Sequence, residues 1–266
     1  MNKYLFIIPA TPKKFSNECR NQLQKLCIFH LVSQTYSNWE VLWVSGNAPN
    51  TDDKRFLHIN YEGPKEEKLQ IASKYIVENE VSADYIIRLD DDDLFNVKIL
   101  NEIKEDSFDL MVDKHQAFWF HETLFFASRV WYWFPNTCIH KKEHALSVFG
   151  VLANENVKRL NPETRLIEND HSKIHRYYIG KNIRFSNQNN PVYLRTITSS
   201  SVTYNNSGDK DAYYSKFGNW KRGEFNNFII PHSERKLPFK QSFTQRLKNS
   251  KNDVVANAKY QKIVFE

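Results

Sequence analysis

Residues 85–93 read Tyr-Ile-Ile-Arg-Leu-Asp-Asp-Asp-Asp, and the fold turns on how this stretch is read. The run from Tyr85 to Leu89 is β-branched, aromatic and apolar, the signature of a buried strand. Asp90, Asp91, Asp92 and Asp93 follow at once. Four adjacent carboxylates repel one another unless a cation or strong hydrogen-bond donors meet them. A strand closed by such a cluster presents oxygen ligands suited to a hard divalent ion. In open α/β sheets, ligands bind beyond the carboxyl ends of strands. The plainer alternative is a solvated acidic turn in which Asp93 caps a helix beginning near Leu94.

Upstream, strand and helix patterns alternate. Tyr4–Ile8 is an expected strand, closed by a loop at Pro9, Ala10, Thr11 and Pro12, because proline fits neither ladder nor helix. Ser16 is placed to cap a helix, with Glu18 in its first turn. Leu23, Leu26, Cys27, His30 and Leu31 share one apolar helical face, so His30 reads as packed. Strands are expected at Trp39–Val44 and Arg55–Ile59, and helices at Glu66–Glu80 and Val97–Lys104. Alternating β and α elements with short connections predict a mostly parallel sheet with right-handed crossovers. The loops at Pro9–Pro12 and Ser45–Pro49 and the aspartates would then share one crevice.

After residue 110 the pattern changes. Residues 117–139 are dense in aromatics and read as two or three antiparallel strands, either as plain core or as a stacking platform for a sugar ring. Residues 191–204 form another strand with a Ser/Thr-rich end.

Composition narrows the function classes. Of 266 residues, 41% are hydrophobic and 14% aromatic, which marks a folded chain. Neither GxGxxG nor GxxxxGK[ST] occurs, so any nucleotide phosphates fall to a metal and side chains. Cys19, Cys27 and Cys138 form no CxxC pair, which suits a reducing cytoplasm and argues against structural zinc. No apolar run has the length of a signal peptide or a membrane span, so a cytoplasmic protein is expected. The net charge is +6; residues 235–266 hold eight of the 37 Lys/Arg and two of the 31 acids, leaving 29 of each before them. That basic tail suits contact with an anionic inner membrane or a phosphate-bearing substrate, or is a lysine-rich face of a soluble helix. The balanced remainder argues against nucleic acid.

Residues 34–44, Gln-Thr-Tyr-Ser-Asn-Trp-Glu-Val-Leu-Trp-Val, together with Asp84–Asp93, resemble the GT-A-fold glycosyltransferases of family 2. Arg88–Asp93 with Ser45–Pro49 is similar to that family's rhamnosyltransferase branch. The likeness covers about residues 3–105. It implies a Rossmann-like nucleotide-sugar half at 1–111, an acceptor-binding, catalytic half of the same domain at 112–232, with an antiparallel aromatic-rich extension, and a basic tail at 233–266. It further implies an inverting transferase that uses Mn²⁺ or Mg²⁺, a dTDP-, GDP- or UDP-sugar donor, and a glycan or lipid-linked glycan acceptor of the bacterial surface.

By position, Asp90 would face the ribose and Asp92, with Asp90, the metal. Asp91 holds the variable place, and Asp93 would support from behind or cap a helix. The uracil-reading aspartate of many relatives is replaced by Ser45-Gly46, which leaves dTDP and GDP open. Pro9, Ala10, Thr11 and Ser45 would line the nucleotide site, and Lys68, Lys74 and Arg195 are the candidate diphosphate contacts, with Ser199–Ser201 beside Arg195. Asp170 is the implied general base, with Glu168 second; His171 and His175 form a weaker metal alternative. A non-enzymatic alternative is a metal-dependent carbohydrate- or nucleotide-binding protein.

Overall fold

The computed structural model describes residues 1–121, 124–130, 134–149, 171–198, 201, 219–223, 225–230 and 242–265. They form a mixed α/β fold with a largely parallel central sheet. Four parallel strands follow the expected periodicities: β1 (Tyr4–Pro9), β2 (Trp39–Ser45), β3 (Phe56–Asn60) and β4 (Tyr85–Arg88). Two crossover helices, α1 (Glu18–Val32) and α2 (Lys65–Glu78), connect them. Every residue of β1 and β4 is buried, as expected of parallel strands covered on both faces.

The seven-stranded sheet runs β10-β6-β9-β4-β1-β2-β3, with β6 at Leu110–Val112, β9 at Ile139–Lys141 and β10 at Ile183–Phe185. β9 is antiparallel to both its neighbours and wedges between β4 and β6. The second sheet runs β12-β8-β7-β11-β5. Its centre is the hairpin β7 (His115–Phe120) and β8 (Phe125–Val130), flanked by β11 (Tyr193–Ile197), β5 (Leu94–Phe95) and β12 (Lys221–Arg222). The two sheets interleave along the sequence, because β5 precedes residue 111 and β9 follows it.

Three local expectations are corrected. Asn17, not Ser16, caps α1: its side chain accepts from Arg20 N–H at 2.9 Å, while the Ser16 hydroxyl turns to Asn21. Asp93 caps no helix, because the chain enters β5 directly. The following helix, α3, is only Ile99–Glu102. Val97 is held outside it by backbone bonds to Asn227 and Thr35.

The remaining described helices are α4 (Lys142–Val148), α5 (His171–Tyr177) and α6 (Phe243–Phe265). The aromatic block supplies core: Phe118, Trp119, Phe120 and Phe126 are all buried. His30 is buried too, with Nδ1 2.8 Å from the Leu26 carbonyl and Nε2 accepting from Ile229 N–H.

His140 on β9 is fully buried, and its Nδ1 shares a 2.7 Å hydrogen bond with the Tyr178 hydroxyl. Burial, then His144 and Arg88, push its pKa down to about 3. The unfolded ring protonates near 6.5, so this group's stabilisation is lost as pH falls from there toward its folded value. The slope approaches about 1.4 kcal/mol per pH unit. His140→Gln should therefore lose less urea stability than the parent between about pH 6.5 and 5. Parallel losses in the two proteins would refute this.

Candidate functional site

The turn after β4 carries the chain from the first sheet to the second. Asp93 N–H donates to the Asp90 carbonyl at 3.1 Å and closes it. Burial alternates along it. Asp90 and Asp92 reach a cleft of about 270 Å³ beyond the carboxyl ends of β1 and β4, each with its side chain 21% exposed. Asp91 and Asp93 border the same cleft but are buried.

Each carboxylate has a partner. Asp90 Oδ1 lies 2.7 Å from Lys65 Nζ and 2.8 Å from Arg88 Nη2, the latter on a buried side chain. Asp92 Oδ2 lies 3.1 Å from Arg20 Nη2. Asp91 accepts from Thr11 N–H at 3.0 Å, the Thr11 hydroxyl at 2.8 Å and Gln24 Nε2 at 3.0 Å, so it pins the β1 loop to α1. Asp93 accepts from Thr196 N–H at 2.9 Å and ties the turn to β11.

The electrostatics follow from this crowding. Burial pushes the Asp92 carboxyl up to about 7; Asp91 and Asp90 add to the rise, and Arg20 and Arg195 oppose it. Asp93 is raised well above the carboxylate range, by burial first and then by Asp92 and Asp90. Burial, and after it the same four carboxylates, raise the Cys27 thiol. A desolvated carboxyl near neutrality takes up either a proton or a cation.

The cationic side of the cleft is Arg20, Lys65 and Arg195. Arg20 and Lys65 stand in the first turns of α1 and α2, whose amino ends also bring partial positive charge. Of the residues singled out from sequence, Pro9, Thr11, Asp90, Asp91, Asp92, Asp93, Arg195 and Ser201 line the cleft. Ala10 lies beneath it and gives its carbonyl to Lys68 Nζ at 2.6 Å. Lys68 is thereby a buried strut; desolvation lowers its pKa.

Lys74 is on the exposed face of α2, paired with Glu78 at 3.5 Å, and does not reach the cleft. Ser45 is buried, its hydroxyl accepting from Asn47 N–H, and is not among the residues lining the cleft. Asp170, Glu168 and Ser199–Ser200 lie outside the described residues. Arg20 and Lys65 were not anticipated. The usable signal was their place in the first turn of a helix that follows a parallel strand, because such turns flank the carboxyl edge.

Among the described residues, one group of three donors could close around an ion: Asp109, Glu143 and His144. His144 Nε2 is 3.3 Å from Asp109 Oδ1. This group stands at the amino edge of the sheet, where Lys141 pairs with Tyr85 and Asp109, at the opposite end of β4 from Asp90.

No family profile and no curated protein matches the chain. Solved structures match it in part. TarS 1-349 of S. aureus superposes with a TM-score of 0.44 at 14% identity, over 73% of this chain and 60% of that one. The glycosyltransferase GlyE of Streptococcus pneumoniae TIGR4 gives 0.43 at 9%, over 74% and 55%. The mannosyltransferase PcManGT of Pyrobaculum calidifontis, solved with GDP-Man and Mn²⁺, gives 0.41 at 11%, over 74% and 56%. This chain thus spans between half and two-thirds of the lengths of these three. At such distances the likenesses carry no function, which rests on the cleft's own residues.

Proposed function

We propose that this protein is an inverting, divalent-metal-dependent glycosyltransferase of GT-A type that uses a nucleotide-diphosphate sugar. One observation carries the proposal. A single turn brings Asp90 and Asp92 to a cleft that Arg20, Lys65 and Arg195 also line, two of them paired with these carboxylates.

The donor set fits Mn²⁺ or Mg²⁺. Two carboxylates, completed by phosphate oxygens and water, are what such ions accept in nucleotide sites. The ion would neutralise charge on the departing diphosphate. Arg20 and Lys65 would then be released from the carboxylates to hold phosphate oxygens together with Arg195, helped by the amino ends of α1 and α2. The loop at Pro9, Ala10 and Thr11, fixed by Asp91 and Lys68, would shape the nucleotide wall.

In this reading Asp170, with Glu168 as second choice, takes the proton of the acceptor hydroxyl. The hydroxyl oxygen bonds to the anomeric carbon as the carbon–diphosphate bond breaks on the opposite face. The sequence likeness supports a hexose or a deoxyhexose such as rhamnose, a dTDP, GDP or UDP carrier, and an acceptor in lipopolysaccharide, capsule or a related glycan at the cytoplasmic face.

Thermal melting with Mn²⁺ and UDP, dTDP or GDP tests the site. Stabilisation should require the metal and one diphosphate together. Diphosphate release from nucleotide sugars then separates a transferase from a binding protein, which would melt the same way and release nothing. Lys65→Ala should weaken diphosphate binding roughly tenfold to a hundredfold, whereas Lys74→Ala should leave it unchanged. Equal effects of the two would overturn the placement of the phosphates.

A further inference from the structure

The outer face of α6 has no part in the proposed reaction. Its inner face is anchored: Asn249, Ala256, Tyr260 and Ile263 are buried, and Tyr260 stacks on Phe134 with ring centroids 5.8 Å apart. Phe243, Leu247 and Val254, spaced by four and seven residues, form one stripe on the opposite side. They are 76%, 58% and 68% exposed, although the helix carrying them is firmly packed.

Arg246, Lys248, Lys251 and Lys262 are exposed on the same helix. Its only acid within 243–265 is Asp253, half-buried on the inner side near Arg129 and Asn219. Among the described residues of the helix, the outer face therefore combines large apolar groups with positive charge and no carboxylate. A protein partner's interior would match the stripe but not the charges of Arg246, Lys248 and Lys251. No helix among the described residues is long and apolar enough to cross a membrane.

We propose that α6 lies flat on a phospholipid surface bearing anionic head groups, with Phe243, Leu247 and Val254 in the acyl boundary and the four cations among the phosphates. The cleft then works beside a membrane.

Co-sedimentation of the full chain with phosphatidylcholine vesicles, with or without about a third phosphatidylglycerol, is the test. Binding should require the anionic lipid and fall away at about 0.5 M salt, where the Debye length is roughly 4 Å. Lys248→Ser/Lys251→Ser/Lys262→Ser should lose about a hundredfold in affinity, near fivefold per charge. Phe243→Ser/Leu247→Ser should lose at least about tenfold.

These side chains are exposed, so melting temperatures should match the parent's and unfolding would not explain a loss. Equal sedimentation with neutral vesicles, or unchanged binding by either variant, overturns the proposal. So does lipid-free dimerisation abolished by Phe243→Ser/Leu247→Ser, or duplex DNA displacing the vesicles.

Discussion

Asp92→Asn should abolish sugar transfer, by about a thousandfold or more, while leaving the fold intact. The loss corresponds to the several kcal/mol that a metal-held leaving group contributes to the transition state. Stability should hold for a separate reason. The Asp92 carboxyl, pushed up to about 7 by burial, is less comfortable ionised in the folded protein than in the unfolded chain. A group raised in this way opposes folding once pH exceeds its unfolded value. Removing its charge near neutral pH therefore carries little penalty. Diphosphate release and a melting curve on one preparation check both halves. A variant with parental turnover would remove Asp92 from the reaction.

Asp91→Ala should behave in the opposite way. This buried carboxylate accepts two donors of Thr11 and one of Gln24. Truncation leaves them facing a void, at a cost of about 3 kcal/mol. For a domain of this size that lowers the melting temperature by roughly 6–12 °C. The β1 loop, released from α1, should also weaken diphosphate binding. A variant that melts like the parent but binds no metal would show that Asp91, not its neighbour, is the ligand. The two substitutions, one residue apart, separate what the turn does for chemistry from what it does for structure.

The first half of the fold was legible because its strands and helices are long enough to show their periods. β1, β2, β3, β4, α1 and α2 stand within one or two residues of their expected bounds. β5 and β9 were not legible. Two or three residues carry no period, and β9 is placed by pairing with strands some 30 to 55 residues earlier. Ser16 and Asn17 are both competent caps, and only the backbone decides between them.

At the site, the aspartate run was visible but its alternating burial was not, because the turn and its partners fix how deep each carboxylate sits. Of the lysines on α2, Lys65 lines the cleft, not the Lys68 and Lys74 singled out from sequence. Lys74 lies nine residues past Lys65, roughly 14 Å along the axis at 1.5 Å per residue, too far from the carboxyl edge. Lys68 is near enough, but Ala10's carbonyl takes it.

The central claim is that Asp90 and Asp92 grip a divalent ion together with a nucleotide diphosphate. Anomalous scattering at the manganese edge, from crystals grown with Mn²⁺ and the stabilising nucleoside diphosphate, tests it most directly. A peak within bonding distance of Asp92 and of phosphate oxygens is the predicted result. Manganese only at Asp109, Glu143 and His144, with the carboxyl-edge cleft bare of metal, would contradict it.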